Sequence, residues 1–397
     1  MAERRTPFHD IHRRLGAELA RAGGDYMLPR SYLSPVEEHV NTRTNVGMQD
    51  LSSMGEVDVK GPGAERLVNQ LLVNEVRDLE PGRLRYSTMC NDEGCVVDDV
   101  TVYKFHDEHF MVVTSSGPRK QSFRWLREHA VGTSTYVTDV SGAVALLSVQ
   151  GPRSRDFLRT AVEDADLDTL RYFRFAAGRI GETELTISRS GYTGELGYEL
   201  YLPAEEAAVV WERLAVAGGD FGLMPYGVAA MQTLRLEKGY PLHGNDVNER
   251  VTPFHVGLDR WIRFDKREFV GRDALLRVQE RGPDERWVGL VLDSEVPADL
   301  DDKVSTIGDV AAVKELIHTG SEAHDYEEEI RPGSEVVGRV TVSAKGHTVG
   351  RMLAMAFVRP FHTWPGSRLV VAVKGRPRVA TVTPTPFFDP QGMRLKA

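Results

Sequence analysis

Residues 91–103 of the chain read NDEGCVVDDVTVY. A polar turn around Gly94 followed by β-branched residues predicts a hairpin that leads into a strand. Two adjacent carboxylates, Asp98 and Asp99, interrupt the apolar run, and neighbouring side chains on a strand face opposite sides. Only one of the two can therefore point into a given cavity. Burying a carboxylate among valines is costly unless a partner or a function compensates.

A second informative stretch, residues 191–199, reads GYTGELGYE. Its glycines, at positions 191, 194 and 197, surround Tyr192 and Glu195 and precede Glu199. Glycine lets the backbone turn tightly and lets a flat ligand approach it closely. This stretch therefore indicates a turn beside a ligand-binding surface, followed by a strand over the apolar residues 200–202.

Taken together, the two stretches resemble the T-protein family, the folate-dependent aminomethyltransferases of glycine cleavage and their demethylating relatives. The resemblance extends along almost the whole chain. It includes 6–9 (TPFH), 50–55 (DLSSMG), 145–152 (ALLSVQGP), 234–239 (LRLEKG), 244–246 (GND), 269–275 (FVGRDAL) and 337–341 (VGRVT). No single one of these motifs is specific. Their joint order and spacing over 397 residues is specific to the family.

Composition limits the class of protein. Of the 397 residues, 41% are hydrophobic and 27% charged, which is typical of a globular protein with two or three domains. The formal net charge of −9 argues against nucleic acid as the main partner. No run of about 18 apolar residues occurs, and the first thirty residues lack the apolar stretch of a secretory signal. We therefore expect a cytoplasmic protein with no membrane or nucleic-acid partner.

The two cysteines, Cys90 and Cys95, flank the turn at residues 91–94. They could face each other across a hairpin, but a reduced pair is the favoured state in the cytoplasm. A zinc site needs four ligands, and no second cysteine pair exists. We therefore predict no metal site.

Hydrophobic periodicity predicts a mixture of helices and hairpins. Helices are expected over 8–22, from 64 onward, over about 118–130, after 152 and over 204–217, and strands over 45–60, 100–103 and 110–114. Without a βαβ rhythm or a GxGxxG motif, this pattern indicates an α+β fold rather than a Rossmann fold. The family resemblance implies a three-domain, cloverleaf-like T-protein architecture with a central folate channel.

Short β-type runs dominate beyond about residue 285, at 287–292, 336–342, 352–358, 369–373 and 378–382. They predict a C-terminal β-barrel or jelly-roll domain over 286–397. Residues 1–285 would then hold the folate-binding region, as two interleaved α+β domains, one of them at approximately 56–140. Within the barrel domain, the acidic stretch 299–331 is predicted to be an inserted solvated loop, with one short helix at 310–317, that the fold can lose.

The resemblance implies that tetrahydrofolate is the cofactor and that Glu199 holds the edge of its pterin. A carboxylate suits this task because the pterin N–H groups form a donor fork. Asp99 matches the catalytic aspartate, which would stabilise positive charge or move a proton, whereas Asp98 would face away. Tyr86, Tyr192 and Tyr240 match aromatic positions around the ligand. The alternative interpretations are an exposed strand residue for Glu199, surface carboxylates for the aspartates and ordinary core residues for the tyrosines.

Four positions depart from the family pattern, and we assign them to the donor side of the cavity. Ser53 stands where the family has a histidine, Ser115 where it has an asparagine, Met231 where it has an arginine and His255 where it has a glutamate. Replacing a guanidinium by a thioether removes a charged donor and adds a flexible apolar surface. The donor side therefore differs from that of an enzyme that works on an aminomethyl-lipoyl arm.

These patterns predict a one-carbon transferase that moves a methyl or methylene group from a small N-, O- or S-linked donor to tetrahydrofolate. A glycine-cleavage T-protein that uses a lipoyl carrier protein is the first alternative. The others are a repurposed biosynthetic enzyme and a folate-binding accessory protein on the same fold. The accessory branch carries a cysteine in its Lys-Gly-Cys-Tyr motif, and this chain has Ser190-Gly191-Tyr192 instead.

Overall fold

Two sheets built between residues 46 and 225 form the larger part of the computed structural model, which describes residues 3–307 and 332–397. The first sheet has five antiparallel strands in the spatial order β5-β6-β7-β4-β8. Its strands are β4 (Gly55–Lys60), β5 (Arg83–Cys90), β6 (Val96–His106), β7 (His109–Thr114) and β8 (Tyr136–Asp139). The predicted hairpin leads into β6, which carries both Asp98 and Asp99.

The second sheet has six strands in the order β10-β11-β12-β9-β3-β13, antiparallel except for the parallel pair β3 and β13. They are β3 (Val46–Asp50), β9 (Val144–Gln150), β10 (Phe175–Ile180), β11 (Thr183–Ser188), β12 (Gly197–Pro203) and β13 (Leu223–Pro225). Glu199 lies on β12, opposite Ser188 on β11 and Ser148 on β9.

Helices cover one face of each sheet. The helices are α1 (His9–Arg14), α2 (Pro35–Thr44), α3 (Ala64–Leu71), α4 (Arg119–His129), α5 (Ser154–Ala161), α6 (Ala207–Ala217), α7 (Val228–Glu237), α8 (Arg272–Arg281) and α9 (Met393–Lys396). Leu67 of α3 and Leu126 of α4 share a core with Val57 and Val112 of the first sheet. Phe157 of α5 and Trp211 of α6 belong to the core of the second sheet. None of the described helices is long and apolar enough to cross a membrane.

The other faces of the two sheets pack against each other. Tyr103 and Met111 of the first sheet share a cluster with Leu146, Phe175 and Tyr201 of the second. Tyr103 and Tyr201 are joined by a hydrogen bond of 2.9 Å between their hydroxyl groups. The strands that carry Asp99 and Glu199 therefore meet across one interior.

The C-terminal strands close into a barrel in the order β14-β17-β16-β15-β18-β19. They are β14 (Arg286–Leu292), β15 (Lys303–Ile307), β16 (Pro332–Gly346), β17 (Arg351–Val358), β18 (Arg368–Val373) and β19 (Arg376–Thr383). The barrel docks on the rest of the protein where Leu236 of α7 packs against Leu353 and Met355. This confirms the predicted mixture of α+β structure and a terminal β-barrel.

The predicted insertion 299–331 overlaps the barrel. Within it, β15 pairs with β16 and β18, and Val304 is fully buried in the barrel core. The strand escaped prediction because its five residues stand beside an acidic run. Removing residues 303–307 would open the barrel, so the interpretation of this part as a dispensable loop is wrong. The predicted helix at 310–317 and the acidic residues 325–329 lie outside the described residues.

The helix predicted over 8–22 is also wrong in its second half. Helix α1 ends at Arg14, and residues Glu18–Ala22 form β1, which pairs with β2 (Tyr26–Ser31). Gly16 has a φ of 74°, which interrupts the helix, and the hairpin partner then supplies the backbone hydrogen bonds. Local periodicity could not reveal that partner.

Candidate functional site

Asp99 lies on β6 and is partly accessible to solvent, although it is deep within the protein. One of its carboxylate oxygens accepts a hydrogen bond of 3.0 Å from the Tyr86 hydroxyl group on β5. The other accepts one of 3.3 Å from the Ser115 hydroxyl group, just beyond β7. Burial raises the pKa of Asp99 above its usual value, and the interaction with His243 reduces that rise. The carboxylate thus borders an internal space with two neutral donors fixed to it.

Asp98 faces the opposite side of the same strand. It is fully buried, and its Oδ2 accepts hydrogen bonds from Ser122 of α4 at 2.6 Å and from the Ser115 backbone N–H at 3.2 Å. Its Oδ1 has no partner among the described residues. Burial, and then the Asp99 charge, raise its pKa far above the usual value. Strand alternation therefore separates the two carboxyl groups, with Asp98 toward helix α4.

Glu199 reaches the same interior from β12. Its Oε2 accepts a hydrogen bond of 2.6 Å from Ser190 and longer ones, of 3.4 and 3.5 Å, from Tyr103 and Tyr201. Its Oε1 has no hydrogen-bond donor among the described residues, and the side chain remains partly accessible. Burial raises the pKa of this carboxyl group, whereas Ser190 lowers it. Ser190 therefore fixes Oε2 of Glu199, and Oε1 is open to a ligand.

Tyrosine side chains contact both carboxylates: Tyr86 bonds to Asp99, and Tyr103 and Tyr201 bond to Glu199. Tyr192 stacks on Tyr240 with a centroid distance of 5.7 Å and an interplanar angle of 25°. Burial raises the pKa of Tyr192, and Asp99 and Tyr240 add to the rise. Burial likewise raises the pKa of Tyr172, with further contributions from Tyr240 and then Glu199. Asp99 and Tyr103 lie on the same face of β6, and the Tyr103 hydroxyl group bonds to Glu199, so the two carboxylates border one interior that polar aromatic groups line.

Two residues that interact electrostatically with these groups, Tyr172 and His243, were not predicted from the sequence. Tyr172 lies in the turn before β10, in a stretch without a recognisable motif. His243 lies in the loop after α7 and donates a hydrogen bond of 3.1 Å from Nε2 to the Val97 carbonyl oxygen on β6. A signal for His243 did exist, because it directly precedes the Gly244-Asn245-Asp246 motif. Burial lowers its pKa, and Asp99 opposes that shift.

A fully buried ion pair holds the loop that carries Tyr240 and His243. The Arg235 guanidinium on α7 donates to the Asp246 carboxylate at 2.6 Å and to the Tyr240 carbonyl oxygen at 3.0 Å. The second Asp246 oxygen accepts a hydrogen bond from Thr341 of the barrel strand β16. Helix α7, the loop and the barrel are therefore joined at a single carboxylate.

The four residues assigned to the donor side lie in different places. Ser115 contacts Asp99 directly. Ser53 forms a hydrogen bond of 2.8 Å with Ser116, beneath the turn between β1 and β2. Met231 packs beside Tyr226, Ala230 and Leu234, and no described contact joins it to Asp99.

His255 forms its hydrogen bonds away from Asp99, at the junction with the barrel. Its Nδ1 contacts the Thr252 hydroxyl group at 2.9 Å, and its Nε2 contacts Asp284 at 2.8 Å, immediately before the barrel. Among the described residues, no hydrogen bond connects this ring with the Asp99 group. Of the four residues, the structure therefore brings Ser115 to the site and Ser53 to the position next to it.

Glu56 at the start of β4 is a buried carboxyl group with no hydrogen-bond partner on either oxygen within the described parts of the chain. Burial raises its pKa to about 8, and Arg119 opposes the rise. It contributes to the raised pKa of Tyr201, behind the effects of burial, Tyr103 and Glu199. With its pKa raised to about 8, Glu56 favours the protonated, neutral form at pH 7.

We expect Glu56→Gln to remove a pH dependence of stability. A carboxyl group whose pKa rises from 4.5 to about 8 on folding favours the folded state below pH 4.5, and this contribution is lost as pH rises through 8. Wild-type melting temperature should therefore fall between pH 6 and 9, and that of the variant should fall less. The control is Glu108→Gln, at an exposed glutamate in the β6–β7 turn. Identical melting curves for wild type and Glu56→Gln at pH 9 would contradict the assignment.

This set of groups fits a long, flat, hydrogen-bonding ligand. Glu199 offers a free acceptor oxygen, the stacked tyrosines offer flat apolar faces, and Asp99 offers a second carboxyl group. No group of three or more His, Cys, Asp or Glu side chains within 3–307 and 332–397 is placed to hold a metal ion.

Comparisons with known proteins agree along the whole chain. A family model described as the GCVT N-terminal domain matches residues 8–266, and one described as the glycine cleavage T-protein C-terminal barrel domain matches residues 315–389. An aminomethyltransferase of Streptomyces coelicolor is 38% identical over 390 residues, with 98% of each chain covered. One of Halothermothrix orenii is 35% identical over 385 residues, covering 97% of this chain and 100% of that protein.

Among solved structures, the glycine cleavage system aminomethyltransferase T from Bartonella henselae superposes with a TM-score of 0.85. The two sequences are 26% identical, and the match covers 98% of this chain and 99% of the other. The likeness therefore includes both sheets and the barrel, in the same arrangement.

Proposed function

The chain belongs to the glycine cleavage T-protein family of folate-dependent one-carbon transferases, and we propose that it moves a methyl or methylene group from a small N-, O- or S-linked donor to tetrahydrofolate. The observation that carries this proposal is a pair of partly accessible interior carboxylates, Glu199 with one open oxygen and Asp99 with two fixed donors, together with the stacked rings of Tyr192 and Tyr240. The two carboxylates supply an acceptor for the pterin and a charged group for the reaction.

Each carboxylate has a distinct task. The free oxygen of Glu199 accepts hydrogen bonds from the pterin N–H donors, while Ser190 holds the other oxygen and thereby fixes the carboxylate. Asp99 stabilises the positive charge that develops on nitrogen as the one-carbon group is transferred. Its enclosed position strengthens this interaction, because water screens charges less in the interior. Tyr86 and Ser115 orient the Asp99 carboxylate.

The identity of the donor rests on the residues around Asp99. Ser115 touches the carboxylate, and Ser53 lies one hydrogen bond from its neighbour Ser116. The family resemblance places an asparagine and a histidine at these two positions, so the space beside Asp99 has a different set of hydrogen-bonding groups. A second candidate is glycine cleavage itself, with an aminomethyl group delivered by a lipoyl carrier protein. The names of the relatives from Streptomyces coelicolor and Halothermothrix orenii favour it.

A donor assay separates the two candidates. The wild-type protein is incubated with tetrahydrofolate and either a panel of N-, O- and S-methyl compounds or an aminomethyl-loaded lipoyl carrier protein. The one-carbon folate product is then quantified by mass spectrometry. We expect at least one methyl compound to be used more efficiently than the carrier. Efficient release of methylene-tetrahydrofolate and ammonia from the carrier alone would establish glycine cleavage instead.

We expect Glu199→Ala to weaken tetrahydrofolate binding by about 1.5–3 kcal/mol, the usual effect of losing a charged hydrogen-bond acceptor. Burial raises the pKa of Glu199, so wild-type affinity should fall as pH is lowered through that pKa, and the variant should lose this dependence. Calorimetry at several pH values measures both effects. The matched control is Glu184→Ala, at an exposed glutamate on the neighbouring strand β11. Equal affinities of wild type and Glu199→Ala would refute the pterin assignment.

A further inference from the structure

The hydrogen bond from His243 to the backbone of β6 determines which ring nitrogen carries the proton. Nε2 lies 3.1 Å from the Val97 carbonyl oxygen, which can only accept, so a neutral His243 carries its proton on Nε2. Nδ1 is then left with a lone pair. No described residue donates a hydrogen bond to Nδ1, and the ring is only partly buried.

The charges of His243 and Asp99 each shift the pKa of the other group. Val97 precedes Asp99 by two residues on β6, so the carbonyl bond holds the imidazole beside the Asp99 segment. Burial lowers the pKa of His243, and the Asp99 carboxylate counteracts this, while His243 in turn lowers the pKa of Asp99. Glu249, whose side chain bonds to Gln121, is the other charged group that acts on His243.

The remaining polar groups around Asp99 cannot easily take up a proton. The Asp99 carboxylate, held by Tyr86 and Ser115, has the task of stabilising positive charge, and burial keeps the phenols of Tyr86 and Tyr192 protonated by raising their pKa values. Asp98 faces α4, on the other side of the strand. Nδ1 of the neutral His243 ring is therefore an acceptor without a hydrogen-bond donor among the described residues, on a ring that is bonded to the strand of Asp99.

We propose that His243 is a second catalytic residue, whose Nδ1 receives the proton that the acceptor nitrogen of tetrahydrofolate loses during transfer. This inference rests on the proposed function and extends it. As the nitrogen lone pair forms the new bond to carbon, the bond between carbon and the donor heteroatom breaks, and its electron pair leaves with that heteroatom. The N–H proton passes to Nδ1, and the imidazolium, stabilised by Asp99, returns it to the leaving group or to water.

The tautomer and the pKa of the His243 ring can be tested without any transfer activity. In the full-length protein with ¹⁵N-labelled histidine, assigned by comparison with His243→Gln, we expect NMR to show the Nε2–H tautomer. We also expect the pKa of His243 to fall in Asp99→Asn, because the counteracting charge is removed. A ring protonated on Nδ1, or a His243 pKa that does not respond to Asp99→Asn, would overturn the inference.

Kinetics test the proton transfer itself. His243→Gln should lower turnover by roughly 10²-fold, the lower end for loss of a general base, and leave the tetrahydrofolate Kd within two-fold. The wild-type rate should rise with pH through the His243 pKa, and the variant should lose that limb of the profile. Added imidazole should partly restore His243→Ala. The control is His109→Gln, because His109 also contacts an aspartate, Asp58 at 3.1 Å, at the opposite end of β7 from Ser115.

The outcomes distinguish this inference from the proposed function. A wild-type protein that transfers no one-carbon group from any donor overturns both. A wild type that transfers normally, beside a His243→Gln variant with the same rate and pH profile, overturns only the role of His243. A variant that loses folate affinity but keeps its turnover would make His243 a residue that supports the loop, and would also overturn the inference.

Discussion

Asp99→Asn is expected to lower turnover by about two orders of magnitude or more while leaving tetrahydrofolate affinity within a few-fold. Asparagine retains the shape of the side chain and can still accept the Tyr86 hydrogen bond, but it lacks the negative charge. Because that charge acts in an enclosed site, its loss should affect the transition state far more than the bound ground state. Single-turnover formation of the folate product, together with calorimetric binding, measures the two quantities separately.

Asp98→Asn is the matched comparison, since it makes the same chemical change at the adjacent position. Asp98 bonds to Ser122 of α4 and to the Ser115 backbone, away from the ligand-binding groups. We therefore expect the substitution to act mainly on thermal stability. A large loss of turnover in Asp98→Asn together with a normal rate in Asp99→Asn would reverse the roles of the two carboxylates.

Asp246→Ala should destabilise the folded protein by about 3–5 kcal/mol, the usual cost of removing one partner of a buried ion pair. Arg235 and Asp246 are both completely buried, and the substitution leaves the guanidinium without its counter-charge. It also releases Thr341 of the barrel and the backbone N–H of Leu242. Urea unfolding followed by tryptophan fluorescence measures the loss, and tetrahydrofolate binding should weaken as well because the loop carries Tyr240.

Two further variants complete this test. Glu335→Ala removes an exposed ion pair with Arg359 and should change stability very little, because solvent screens such pairs. Arg235→Met combined with Asp246→Leu removes both buried charges and should recover much of the lost stability. A single Asp246→Ala variant as stable as wild type would show that the pair contributes nothing to holding the loop.

Much of the fold was predictable because hydrophobic patterning is local. The alternation over residues 96–103 predicted β6, and it separated Asp98 from Asp99 before any tertiary contact was known. Five barrel strands were evident as short β-type runs. The sixth, β15, was not, because five residues next to an acidic run have no pattern of their own. Likewise, only its pairing with β2 makes residues 18–22 a strand instead of a continuation of α1.

The candidate site was predictable where residues lie within recognisable motifs, as Asp99 and Glu199 do. Tyr172 lies in an ordinary turn, and only the fold brings it within range of the charges on Tyr240 and Glu199 that raise its pKa further. The placement of His255 shows the reverse case. Its position in the sequence indicated the donor side, yet its ring is held between Thr252 and Asp284 at the junction with the barrel.

The sequence by itself determined the class of fold, the strand that carries Asp99 and the strand that carries Glu199, because these depend on side-chain periodicity and on residues close together in the chain. Only the tertiary structure decided which groups complete the site. The Asp99 and Glu199 strands belong to different sheets, and His243 comes from a loop that the Arg235–Asp246 pair holds against them. Such contacts depend on the packing of elements far apart in the chain, since the Tyr103–Tyr201 bond spans 98 residues and the His243–Val97 bond spans 146, and no local pattern records them.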